Sequence, residues 1–174
     1  MDIITVDVLN KRIIILINGD DEPFIGLVHI SMDAVPISVA VIDVNEDHKV
    51  DLIVVYPISN SIGIYLNDGS YTFTKGKSYP TGDSPLSILF ADVNDDQKLD
   101  LIVSNLGSLT GGIYLDKING EFDEQQLYPT QDRPYDVIFT DIDNDQQSDI
   151  LIRYQRNLGI IYGDCLKNYL TKEE

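Results

Sequence analysis

A nine-residue acidic loop occurs three times in this chain at one fixed spacing. The copies run Asp43-Val-Asn45-Glu-Asp47-His48-Lys49-Val-Asp51, Asp92-Val-Asn94-Asp-Asp96-Gln97-Lys98-Leu-Asp100 and Asp141-Ile-Asp143-Asn-Asp145-Gln146-Gln147-Ser-Asp149. Corresponding residues stand 49 apart, as do Pro36, Pro85 and Pro134. A fixed period of this length marks a repeat architecture, built by stacking one supersecondary unit on the next. One period back from Asp51 lies Asp2, so the chain opens at the ninth position of what would be an earlier loop.

Oxygen-bearing side chains stand at positions 1, 3, 5 and 9 of every copy. Like charges gathered in one turn repel by about 1 kcal/mol or more per close pair unless a counter-charge sits among them. A hard divalent cation is the natural partner of such oxygens, and Ca²⁺ tolerates irregular geometry better than Mg²⁺. The alternative is a set of metal-free Asx turns, since Asp and Asn favour hairpin corners anyway. An EF-hand does not fit, because Val54, Val103 and Ile152 stand where its twelfth-position Glu would be.

Twelve of the 29 acidic residues lie inside the three loops, within a net charge of −17. That balance leaves nothing basic to neutralise phosphates and argues against nucleic acid. No apolar run approaches the ~20 residues of a membrane-spanning helix, and Met1 runs directly into a strand-like segment with no signal-peptide pattern. The single cysteine, Cys165, excludes an internal disulfide and reads as a semi-buried thiol.

Between loops the chain reads as short strands and turns. In one period, Leu52–Tyr56, Ile62–Leu66, Tyr71–Tyr79 and Leu86–Ala91 are β-prone, separated by turn formers such as Asn67-Asp68-Gly69. Four antiparallel strands per period of about 40 to 50 residues make a β-propeller blade. The expected fold is therefore all-β, with four-stranded blades on a 49-residue repeat. The runs after the three prolines are apolar on both faces in their second half, which suits an innermost strand buried on both sides. Residues 2–35 supply a partial blade of three strands, followed by units at about 36–84, 85–133 and 134–170. The tail after Gly163 reads as a frayed strand or a short helical turn. We expect one propeller segment over 1–174, an arc of about 3.5 to 4 blades, against about 4 to 8 in closed propellers. Such an arc is completed by further blades or by self-association.

At the loops the sequence resembles the FG-GAP/VCBS repeat family, whose pattern is Asp-x-Asp/Asn-x-Asp-Gly-x-x-Asp followed by an apolar strand. Asn67-Asp-Gly69-Ser-Tyr-Thr-Phe73 resembles the family's Gly-x-Gly-x-Phe segment, echoed more weakly by Asn119-Gly-Glu-Phe122. The resemblance implies about three Ca²⁺ sites: Asp43, Asn45, Asp47, Asp51 and the Lys49 carbonyl; Asp92, Asn94, Asp96, Asp100 and the Lys98 carbonyl; Asp141, Asp143, Asp145, Asp149 and the Gln147 carbonyl. The family's glycine at loop position six is His48, Gln97 and Gln146 here, and a left-handed backbone there costs a non-glycine residue about 1 kcal/mol. The family further implies an extracellular or cell-surface module recognising a protein or glycan, without catalysis; the alternative is a non-catalytic domain of a secreted Ca²⁺-dependent carbohydrate-active enzyme.

No nucleophile elbow, phosphate loop or Cys/His pair stands out. His29 and His48 occupy different repeat positions and read as surface or turn residues. Tyr79 and Tyr128 recur in phase and read as packing residues. The unrepeated Arg153, Tyr154 and Arg156 are candidates for individual recognition.

Overall fold

The computed structural model describes residues 2–19, 22–118 and 120–163; the tail, Cys165 and Asn119 lie outside them. The chain divides into two compact units, Met1–Pro80 and Thr81–Glu174. Every strand pairing is antiparallel, as short turns between consecutive strands require.

The first unit holds two sheets. One is β1 (Ile3–Asp7), β2 (Arg12–Ile17) and β3 (Gly26–Ser31), in that order. The other is β4 (Ser38–Ile42), β5 (Asp51–Tyr56), β6 (Ser61–Asn67) and β7 (Phe73–Pro80). Their core gathers Ile13, Met32, Leu52, Val54, Tyr56 and Tyr65. Buried hydroxyls find partners within it: the Tyr56 and Tyr65 hydroxyls lie 2.7 Å apart.

The second unit repeats the plan. Strands β8 (Pro85–Ala91), β9 (Asp100–Asn105) and β10 (Thr110–Tyr114) are joined by β13 (Gln126–Pro129), beyond an inserted hairpin of β11 (Asp116–Ile118) and β12 (Glu121–Phe122). A three-stranded sheet follows: β14 (Asp136–Thr140), β15 (Asp149–Arg153) and β16 (Leu158–Ile161). The Ser87 hydroxyl donates to Asp136 Oδ1 at 2.7 Å, joining residues one period apart on β8 and β14.

Two sequence expectations shift. The strands buried on both faces are β5 and β9, which follow the loops, with every residue buried. The preceding strands, β4 and β8, stand at sheet edges and are only part-buried. An edge strand lacks a neighbour on one side, so apolar residues along it are not all covered. The expected Tyr71–Tyr79 strand begins instead at Phe73, because Gly69 and Tyr71 adopt the left-handed conformation at φ 98° and 57° and prolong the turn.

Candidate metal centre

Each acidic loop is the corner of one hairpin: β4–β5, β8–β9 and β14–β15. Position 1 caps the loop backbone. Asp43 Oδ1 and Oδ2 accept from the Asp47 and His48 amides at 3.1 and 2.8 Å. Asp92 does the same for Asp96 and Gln97 at 3.1 and 2.8 Å. Asp141 accepts from Asp145 and Gln146 at 3.2 and 3.0 Å. The position 3 oxygens of Asn45, Asn94 and Asp143 reach that same position 5 amide at 3.2, 3.0 and 3.2 Å. Side chains 1 and 3 thus converge in all three loops.

The backbone curls to allow this. His48, Gln97 and Gln146 are left-handed at φ 65°, 68° and 69°, the conformation for which the family uses glycine. Position 4 is left-handed as well, in Glu46, Asp95 and Asn144. Only the last two are residue types that tolerate it, so sequence patterning gave little warning. Restoring glycine should relieve part of the strain. We expect Gln97→Gly to raise the unfolding free energy by about 1 kcal/mol, read as a shifted urea midpoint. His48→Gly should gain less.

Position 9 plays a part that spacing did not reveal. Asp51, Asp100 and Asp149 are buried to 0, 0 and 1% exposure. One oxygen of each accepts the position 2 amide: Val44 to Asp51 at 3.1 Å, Val93 to Asp100 at 3.1 Å, Ile142 to Asp149 at 2.9 Å. The other accepts an amide just beyond the next strand or at its end, from Asn67, Asp116 and Gly163, each at 2.8 Å. This carboxylate pins the acidic corner to the end of the neighbouring strand. Burial pushes the Asp51 carboxyl up, and pushes Asp100 up to about 6.

The loops differ in how their charge is held. Lys49 reaches Asp47 Oδ2 at 3.0 Å, and this hydrogen bond holds the Asp47 carboxyl below the usual range. Lys98 donates instead to the Lys117 carbonyl, while Asn94 donates to Asp96 Oδ2 at 3.1 Å. The third loop has Gln147 in the lysine's place, 3.3 Å from Asp145 Oδ2. Among the described residues one carboxylate cluster able to hold a metal ion forms: Asp141, Asp143 and Asp149, with oxygens within 4.8 Å of one another. Desolvation and the neighbouring Asp145, Asp149 and Asp141 push the Asp143 carboxyl up. At such distances each pair of ionised carboxylates repels by about 1 to 4 kcal/mol, depending on solvent screening. In the first two loops an asparagine holds the third position, so that triad does not form.

Of the other candidates, Tyr154 is a core residue at 4% exposure, not a recognition residue: its ring fills the space Gly159 leaves open. Arg153 lies over the Tyr135 ring at 5.7 Å and 3.9 Å from Asp136. Tyr79 is buried and Tyr128 packs on the second unit's core, as packing residues should. His29 is exposed on β3.

An all-β chain whose hairpins carry the same acidic corner at every period is a repeat module. Residues 43–103 match the family model of the FG-GAP-like repeat, the family the loops resemble. No curated protein sequence matches the chain significantly. Among solved structures it is similar to the β-propeller BBS1N, in crystals of BBS1N in complex with ARL6DN soaked with mercury or lead. The TM-scores are 0.59 and 0.57 at 13% and 14% identity, with 92% of this chain covered in both. The chain spans about half of those chains, 49% and 46%. Such a likeness speaks for the fold alone. Among the described residues no helix is long and apolar enough to cross a membrane.

Proposed function

We propose that this chain is a calcium-binding segment of β-propeller blades, non-catalytic, serving recognition of a protein or glycan outside the cell. The observation that carries the calcium reading is the convergence of Asp141, Asp143 and Asp149 in a loop whose backbone is already curled around them. Their mutual repulsion is uncompensated by any basic residue of that loop, and a divalent ion would cancel it. Asp145 and the Gln147 carbonyl complete this set. Asp43, Asn45, Asp47, Asp51 and the Lys49 carbonyl form a weaker second set, and Asp92, Asn94, Asp96, Asp100 and the Lys98 carbonyl a third. The ion's role is architectural: it ties the corner between two strands and leaves the chain's faces to do the binding. Recognition and an extracellular setting rest on the FG-GAP-like repeat and on the acidic surface.

Calcium titration by calorimetry, paired with thermal melts, tests this. Saturating calcium should add about 3 kcal/mol at a hundredfold excess over Kd, a rise of about 5 to 10 °C over the chelated protein. A melting temperature indifferent to calcium and EDTA rejects the reading. The third loop should bind tightest, since Lys49 already occupies Asp47 in the first. Asp145→Ala should therefore lower the highest calcium affinity about tenfold, with Asp47→Ala leaving it unchanged. Equal or reversed effects reject the ranking.

A further inference from the structure

The second repeat closes one end of its sheet differently from the other two. At the strand end remote from the acidic corner, Tyr56, Asn105 and Tyr154 share one repeat position, 49 residues apart. Gly63, Gly112 and Gly159 share a position on the neighbouring strand, paired with Val54, Val103 and Ile152. In two repeats a tyrosine ring covers that glycine. A Cβ built on Gly63 would stand 3.1 Å from Tyr56 Cε2, and one on Gly159 2.7 Å from Tyr154 Cε2. At Gly112 the nearest atom is instead Gln125 Nε2, 1.9 Å from such a Cβ. One period before Gln125 stands Gly76, which has no side chain to offer. The second repeat has thus exchanged a ring and a bare glycine for two carboxamides.

Both carboxamides meet at Gly82, within the second unit. Gln125 Oε1 accepts the Gly82 amide at 2.9 Å, and a Cβ on Gly82 would lie 2.8 Å from Asn105 Cγ. The Gly82 N–H can face only a carboxamide oxygen, so this bond turns Gln125 Nε2 elsewhere. Asn105 is fully buried, and its Nδ2 donates to Thr110 Oγ1 at 3.2 Å. Asn105 Oδ1 and Gln125 Nε2 remain, both buried and both without a partner among the described residues. One is an acceptor and the other a donor. Buried polar groups are satisfied in folded proteins, and stability suffers where they are not.

We propose that Asn105 and Gln125 together hold a buried water molecule, which bridges Asn105 Oδ1 and Gln125 Nε2 where the other two repeats are sealed by a tyrosine ring. The two atoms define the chemistry of their partner. It must donate to an oxygen and accept from an N–H. A metal ion cannot accept, and an unprotonated anion cannot donate, whereas a hydroxyl does both. Both atoms are closed off from solvent, which selects water over any larger alcohol. Turning the Asn105 carboxamide over exchanges an unpaired acceptor for an unpaired donor, and water serves either. Waters of this kind are part of the fold, held by polar groups that lack other partners. The site is independent of the acidic corners and of any ion bound there.

Water-selective NOE and ROE spectra of the whole ¹⁵N-labelled chain, recorded in EDTA, test this directly. The side-chain amide protons of Gln125 and Asn105 should show cross-peaks to water of opposite sign in the two spectra, the mark of a long-held water. A thermal double-mutant cycle tests the exchange behind it. Gln125→Gly leaves the Gly82 amide and Asn105 unpaired, and Asn105→Tyr drives a ring against Gln125. Each should lower the melting temperature by about 3 °C or more. The double variant, which copies Tyr56 and Gly76, should fall by less than either single one. Two results would overturn the proposal: water cross-peaks that are missing or of one sign in both spectra, or a double variant whose loss equals the sum of the single losses. The first needs no variant, so a variant that fails to fold does not shelter the proposal.

Discussion

Asp149→Ala is expected to lower the unfolding free energy by about 2 to 4 kcal/mol in EDTA, whereas Asp143→Ala in the same buffer should change it by less than about 0.5 kcal/mol or raise it slightly. Both residues belong to the same carboxylate triad, so a purely metal-binding account predicts no difference without metal. The structure predicts a large one. Asp149 is buried and accepts from the Ile142 and Gly163 amides at 2.9 and 2.8 Å. Removing its carboxylate strands one buried and one part-buried amide donor, each costing about 1 to 3 kcal/mol, with incomplete additivity. Among the described residues Asp143 accepts the Asp145 amide, which Asp141 also bonds, and it suffers repulsion that its removal would relieve. Urea midpoints with and without calcium read the result. In calcium both variants should lose the ion-dependent rise that this loop supplies. Equal cost in EDTA would show that position 9 is a ligand only.

The placing of the acidic loops at hairpin corners was legible in the sequence. The 49-residue period placed every acidic loop on a hairpin, because strand–turn–strand patterning is local, whereas the capping of the loop amides by position 1 came only with the structure. The non-glycine residues at position six were rightly marked as strained, since family pattern and backbone sterics name that position directly. Burial was read less well. Apolar runs look alike whether a strand is central or at an edge, so β5 and β9 were not distinguished from β4 and β8. Long-range bonds were not legible at all. Nothing in Asp51 or Asp100 announces that a residue 16 positions onward will donate to it. Tyr154 reads from the sequence as an unrepeated recognition candidate, yet the second unit buries it in its core as the first buries Tyr56. The repeat between them has Asn105 in that place, whose Oδ1 is left buried without a partner, as is Gln125 Nε2.

Lowering the pH from 7 to 5 in EDTA should make this protein more stable, against the usual trend for a protein held by ionised carboxylates. The Asp100 carboxyl is raised to about 6, first by desolvation and further by Asp96 and Asp92, despite the two amides it accepts. A carboxyl raised in the folded state is easier to bury when protonated. Its contribution is therefore fully present below the unfolded value near 4 and is lost as pH climbs through about 6. Asp51 is shifted in the same direction for the same first cause. The groups shifted the other way, Asp7 and Asp47, titrate below the ordinary carboxylate range and so outside this window. For a fully buried side chain the whole shift at Asp100 is worth about 3 kcal/mol, of which about half is recovered between pH 7 and 5, a rise in melting temperature of about 3 to 5 °C. Asp100→Asn, which keeps an oxygen acceptor but cannot ionise, should flatten the profile. Calcium should reverse it, because a bound ion favours the ionised carboxylate and protons then compete with the ion. A melting temperature that falls between pH 7 and 5 in EDTA, or an unchanged profile in the Asn variant, would show that the buried ninth-position carboxylate is not under electrostatic strain, and with it would go the reason for a cation at these corners.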